Sequence, residues 1–135
     1  MKKIFLTFIV LFYSCAQIFA YTKINILKVY DGDTILAQID DNIFRIRLID
    51  IDCFEGTPSE RAKWQAKNLN MDLNKLVEGG NLAGEILREK LKNKNVTFDF
   101  QGIDKYNRAL GILYVDKTNI NKEMIKTGYC VPYKK

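Results

Sequence analysis

Hydrophobic and polar positions along the chain change period several times, and each change marks an element. Between Lys23 and Val29, Ile24 and Ile26 alternate with polar neighbours, the pattern of a half-buried strand. Asp31-Gly32-Asp33 interrupts it, and alternation resumes from Thr34 to Ile39 through Ile35, Ala37 and Ile39. Asp40-Asp41-Asn42 is turn chemistry, so Ile43 to Ile51 reads as the returning strand of a hairpin or meander. The middle of the chain switches to helical spacing. Ala62, Ala66, Leu69, Leu73 and Leu76 recur at steps of four and three, one face of a helix or of two short ones, with Gly79-Gly80 as the stop. Leu82, Ala83, Ile86, Leu87 and Leu91 predict a second amphipathic helix. Val96, Phe98 and Phe100 return to alternation, Gly102 to Arg108 is a polar loop, and Ala109 to Val115 is a strand. A short helix over Ile120 to Lys126 ends at Gly128.

That order predicts an α+β fold. Five short strands, with helices inserted between strands 3 and 4 and a short helix at the C-terminal end, have the connectivity of an OB-type β-barrel. Residues 1–20 stand apart: Lys2 and Lys3, an apolar run from Ile4 to Tyr13, then Ser14, Ala16 and Ala20 make the three parts of an export signal. Cleavage after Ala20 is the reading taken, which leaves residues 21–135 as the folded domain. An uncleaved anchor, or lipid attachment at Cys15 in Leu11-Phe12-Tyr13-Ser14-Cys15, stay open as alternatives. All three send the domain out of the cytoplasm, to the periplasm, the medium or the outer face of a membrane. Any membrane contact is expected only through this segment.

Composition narrows the chemistry. The 135 residues contain no His, which excludes Ser-His-Asp and Cys-His nucleophilic sites, His-pair acid-base catalysis and imidazole zinc sites. Three Cys cannot form a four-thiolate zinc site. Catalysis is left to carboxylates, Arg, Lys, Tyr or a hard metal held by oxygen. A net charge of +5 is compatible with a polyanionic partner. Beyond the leader only Cys53 and Cys130 remain, and a disulfide or two free thiols are both open.

Three polar clusters fall where a barrel would be irregular: Asp31-Gly32-Asp33-Thr34, the run from Arg47 through Asp50 and Asp52 to Glu55, and Asp104-Lys105-Tyr106-Asn107-Arg108. The first alone reads as a tight turn and the third as a solvated loop. Charges inside the apolar run from Arg47 to Glu55 are costly unless paired or used. Together, in order, and with Asn121 and Gly128 following, they resemble the staphylococcal nuclease (thermonuclease) family. That family pairs an Asp-Gly-Asp-Thr turn with an Arg followed five residues later by Asp and eight later by Glu, then an Asp-Lys/Arg-Tyr-Gly-Arg loop. The resemblance runs from about residue 24 to 133.

What the resemblance implies is an exported, Ca²⁺-dependent nuclease, acting as a monomer. It would hydrolyse phosphodiester bonds of DNA and RNA with little base specificity and leave 3′-phosphorylated products. Asp33, Asp52 and the backbone carbonyl of Cys53 would hold Ca²⁺, as hard oxygen donors can. Arg47 and Arg108 would clasp the phosphate with planar forks, and Glu55 would act as general base. Lys105, Tyr106 and Tyr133 would bind substrate. The alternative is an OB-type module that binds nucleic acid without cutting it.

Three departures are visible. Cys53-Phe54 stands where Thr-Pro or Ala-Pro usually precedes the Glu, Gly56 to Leu82 is longer than usual, and Asn107 replaces a common Gly. Asn tolerates left-handed backbone. Arg47 and Asp52, five apart, would face opposite sides of a regular strand, so a bend, a bulge or an early strand end is required between them. Trp64 is read as a packing residue, with base stacking as the alternative, and Tyr129 and Tyr133 as stacking or packing residues. The Lys90–Lys94 run is read as a solvated helix end, with attraction of a nucleic-acid backbone as the alternative.

Overall fold

The computed structural model describes residues 21–134, and the leader reading of residues 1–20 lies outside them. Strands β1 (Thr22–Val29), β2 (Thr34–Ile39) and β3 (Asn42–Leu48) form an antiparallel meander. After the short β4 (Ile51–Cys53) come helices α1 (Glu60–Asn68) and α2 (Leu73–Leu91). Then follow β5 (Val96–Ile103), β6 (Ala109–Val115), β7 (Thr118–Asn119), α3 (Ile120–Lys126) and β8 (Cys130–Pro132). The sheet order β3-β2-β1-β5-β6 closes on itself through a parallel β3–β6 pairing, so five strands make a mixed barrel. Both longer helices fall between its third and fourth strands, as the sequence pattern predicts. The small additional strands β4 and β8 pair beside the barrel.

Inward positions alternate along the strands: Ile35 and Ala37 on β2, Ile46 and Leu48 on β3, Leu113 and Val115 on β6 are buried. Ala83, Leu87 and Leu91 of α2 and Met124 of α3 join the same core. A second core of Phe54, Ala62, Ala66 and Leu76 lies where α1 and α2 meet the chain beyond β4. Asn121, also buried, donates to the carbonyls of Ile49 and Gly111 and accepts from the Leu113 amide, tying α3 to β6 and to the end of β3.

Three boundaries differ from the sequence pattern. Gly79-Gly80 does not end a helix, because α2 runs through it and the break falls at Leu69–Asp72. There Asn70 takes a left-handed φ of 49°, and Asp72 caps α2 by accepting from the amides of Asn74 and Lys75. The glycines serve packing instead. A Cβ on Gly79 would come within 2.9 Å of the Phe54 ring, and one on Gly80 would overlap the Glu55 carbonyl. The second difference is β3, which stops at Leu48 rather than continuing to Ile51. Asp50 adopts φ 63° between β3 and β4 and supplies the bend required between Arg47 and Asp52. Strand β5 also runs further than expected, to Ile103, over a register shift between Phe100 and Gly102.

Candidate active site

The β1–β2 loop builds the first wall of the site. Asp31 accepts from the Asp33 amide at 3.0 Å, an Asx turn that aims the Asp33 side chain inward. A Cβ on Gly32 would lie 2.7 Å from Ala83 and 2.8 Å from Cys53, so only Gly lets this turn sit against α2 and β4. Asp33 is buried, accepts from the Cys53 amide at 2.7 Å and pairs with Arg47 at 3.2 Å. Arg47 reaches it because Arg47 and Thr34 are cross-strand partners in the β2–β3 register. The same guanidinium pairs with Asp52 at 3.3 Å. One Arg fork therefore joins acids from the two segments that the sequence nominates.

Two residues that the sequence pattern does not nominate complete the cluster, and both come from α1. Arg61 pairs with Asp52 at 2.7 Å and with Glu55 at 3.1 Å. Gln65, buried, donates to the Asp52 carboxylate and to the Cys53 carbonyl, and accepts from the Glu55 amide. It thus grips the whole Asp52–Glu55 segment. The available signal was Gln65 itself, a polar residue set between Ala62 and Ala66 on the apolar stripe of a helix, with Arg61 one turn before it. Trp64, read as a packing residue, is instead 59% exposed and stands beside the Arg61 guanidinium. It belongs to the outward face of α1, between rather than on the buried positions.

Cys53 and Cys130 form a disulfide, which settles the alternative left open by the sequence. It ties β4 to β8 one residue beyond Asp52. Tyr129 packs edge-on against Phe54, and its carbonyl accepts from the Phe54 amide. The segment bearing Asp52 and Glu55 is therefore held on one side by Gln65 and on the other by β8.

The β5–β6 loop is separate and self-contained. Asp104 accepts from the amides of Tyr106 and Arg108 and pairs with the Arg108 guanidinium at 2.8 Å. Asn107 takes φ 60°, the left-handed conformation expected where Gly is common. The parallel register sets Arg47 opposite Leu110, so the loop that carries Arg108 enters β6 two residues before the partner of Arg47. Arg47, Asp104, Asp50 and Tyr133 line one cavity of about 260 Å³. Lys105 and Tyr106 lie on the exposed tip, with the Lys105 ammonium 5.1 Å and the Arg108 guanidinium 5.5 Å from the Tyr106 ring. The structure thus draws Asp33, Arg47, Asp52 and Glu55 into one connected cluster. It sets Tyr133 and Asp104, the acid partner of Arg108, along the adjoining cavity and leaves Lys105 and Tyr106 on the exposed tip of the β5–β6 loop.

Electrostatics mark Asp33 as the group most in need of a further positive charge. Burial pushes its carboxyl up to about 7 in spite of Arg47 beside it, and Asp31 adds to the rise. Burial also raises Glu55, opposed by Arg61 and reinforced by Asp31 and Asp52. Asp104 lies below its ordinary value: burial pulls it up, but its hydrogen bonds from Arg108 and Tyr106 outweigh that. A hard cation fits the donors present at Asp33 and Asp52, which are all oxygen, and would relieve the deficit at Asp33. The Cys53 carbonyl already accepts from Gln65 at 3.0 Å and retains a second lone pair. Among the described residues no three His, Cys, Asp or Glu side chains gather as a ready ligand set. Two carboxylates, a carbonyl and solvent oxygens are what this site offers.

Comparison with known proteins agrees with the geometry. The model of the family described as staphylococcal nuclease homologue matches residues 45–135, well over half of the chain. An uncharacterized protein of Methanocaldococcus jannaschii is 30% identical over 81% of the chain and 58% of its own length. A Haemophilus influenzae protein named as an uncharacterized endonuclease is 30% identical over 98% of the chain and 66% of its own. A protein of the same description from Escherichia coli O157:H7 is 28% identical over 77% and 56%. The chain spans between just over half and two thirds of the length of these relatives. With the ordered acid and arginine positions brought together on a closed five-stranded barrel, the chain belongs to the staphylococcal nuclease homologue family.

Proposed function

We propose that this chain is an exported, Ca²⁺-dependent nuclease that hydrolyses phosphodiester bonds of DNA and RNA with little base preference. The observation that carries the reading is the single connected cluster of Asp33, Arg47, Asp52 and Glu55, with Arg108 two residues before Leu110, the β6 partner of Arg47. Arg47 and Arg108 present planar forks to the non-bridging oxygens of a diester, contacts that need no base. Asp33, Asp52 and the Cys53 carbonyl would hold the Ca²⁺ ion, which would supply positive charge for the phosphoryl oxygens.

Glu55, with its carboxyl raised and Oε1 held by Arg61, keeps its other oxygen to take the proton of the attacking water. As that water's oxygen bonds to phosphorus, the bond to the 5′-oxygen breaks, that oxygen leaves with the bonding pair and takes a proton from solvent, and the phosphate stays on the 3′ side. Tyr133, Lys105 and Tyr106 bind the neighbouring nucleotides. The Cys53–Cys130 bond supports an oxidising compartment. Among the described residues no helix is long and apolar enough to cross a membrane.

Incubating the protein with plasmid DNA and with RNA, in Ca²⁺ or in chelator, beside Glu55→Gln, tests the reading. Cleavage that requires Ca²⁺ and falls by about 10²-fold or more in the variant is expected. Retention of nucleic acid without cleavage in Ca²⁺ contradicts it and favours the non-catalytic binding module.

A further inference from the structure

The arginines at the active site are partnered by acids: Arg47, Arg61 and Arg108 each pair with a carboxylate. A different arrangement lies on the face where β1 runs past the C-terminal end of α2. A groove of about 650 Å³ there is lined by Lys28 from the strand and by Arg88, Lys92 and Lys94 from the helix and the residues after it. Among the described residues no acid lines it. All four cations are exposed, and none makes an ion pair among the described residues.

This groove joins the active site. Arg88 also lines an adjoining cavity of about 300 Å³ whose walls include Glu55, Asp31 and Tyr30. On the opposite wall the Lys28 ammonium lies 4.8 Å over the ring of Tyr30. The two cavities therefore meet at Arg88 on one side and at the Lys28–Tyr30 pair on the other. Asp31, Glu55 and Glu85 repel phosphate from the adjoining cavity itself. The next favourable backbone contacts outward from Glu55 are Arg88 and then the lysines.

Unpaired cations along a groove, with an exposed aromatic at its mouth, match the chemistry that tracks a single strand: charge for the backbone and a ring for a base. We propose that the groove between β1 and the end of α2 binds the sugar-phosphate backbone of a single-stranded nucleic acid. It carries the strand away from Glu55. The inference rests on the nuclease reading for its substrate class. It adds a site outside the clustered acids and arginines, and it predicts a dependence on substrate length. Oligonucleotides too short to pass Arg88 cannot use it.

The test uses the full chain, wild type and the triple variant Lys28→Ala/Lys92→Ala/Lys94→Ala, with oligo-dT of about four and about twenty nucleotides. Binding is titrated in chelator across a series of salt concentrations. On the longer strand the slope of log affinity against log salt is expected to become shallower by about 2, since each phosphate that a lysine no longer neutralises accounts for about 0.7. Affinity for the shorter strand stays as in wild type. In Ca²⁺, kcat/KM falls on the longer substrate only. An unchanged slope on the longer strand, or an equal loss on both lengths, overturns the groove. Cleavage by both proteins with an unchanged slope refutes the groove and leaves the nuclease reading intact. A shallower slope with no cleavage by either protein refutes the nuclease reading and leaves the groove intact.

Discussion

The two arginine-bearing parts of the site are made in opposite ways. Arg108 sits in a loop that organises itself: its acid partner is four residues away, and the intervening amides bond to that same carboxylate. Arg47 sits in a cluster that no short segment could form. Its partners come from the β1–β2 loop and from β4, and the β4 acid, Asp52, is held in turn by two residues of α1 and its strand by a disulfide to β8. The first depends on local backbone conformation. The second depends on the closure of the barrel and the seating of both helices. Damage at a distance should therefore reach the cluster and spare the loop.

Activity is where the two should behave alike. Both guanidiniums are assigned to phosphate, so Arg47→Lys and Arg108→Ala should each lower turnover by at least about 10²-fold in a DNA-hydrolysis assay. Wild-type turnover in either variant removes that residue from the mechanism. Stability should separate them. Opening the Cys53–Cys130 bond, which closes a loop over a separation of 77 residues, should cost about 2–4 kcal/mol by denaturant titration. Amide exchange of Glu55 and Phe54 should quicken, while that of Tyr106 and Arg108 stays as it was. Equal quickening in both places would erase the distinction. The smallest effect belongs to the loop. Asn107→Ala at φ 60° should cost about 1 kcal/mol in the same titration, with Asn107→Gly close to neutral and the Glu55 amide unaffected by either.

The same division explains what could be read from the sequence. The loop was legible because its information is local: Asp104, Asn107 and Arg108 stand in the order and spacing that the turn uses. The barrel was legible for a similar reason, since period-two alternation in β1, β2, β5 and β6 records which face each strand buries. Gly79-Gly80 misled because two glycines look the same whether they end a helix or admit a neighbour. Only the fold shows that Phe54 and the Glu55 backbone lie against them. Arg61 and Gln65 escaped notice because their meaning comes from partners six to thirteen residues away, brought close by the turn after β4. The Cys53–Cys130 pairing likewise needed the β4–β8 register. The break at Asp50 was foreseeable only as a requirement, from the parity of Arg47 and Asp52.

Asp33 offers the most direct approach to the central claim that the cluster is one ion-and-phosphate site. Its carboxyl lies at about 7 rather than the ordinary 3.8, so the fold favours the protonated form. In metal-free buffer, stability should fall as pH rises between about 4 and about 7 and level off above that range. Binding of a cation requires the ionised form, so affinity should strengthen over the same rise. The decisive measurement is calorimetric titration of Ca²⁺ at pH 6 and pH 8 into wild type, Asp33→Asn and Asp52→Asn. The expected result is one ion per wild-type chain, bound more tightly at pH 8 with proton release at pH 6, and no binding to either variant. Equal binding by wild type and both variants, or no binding by wild type at pH 8, would contradict the account.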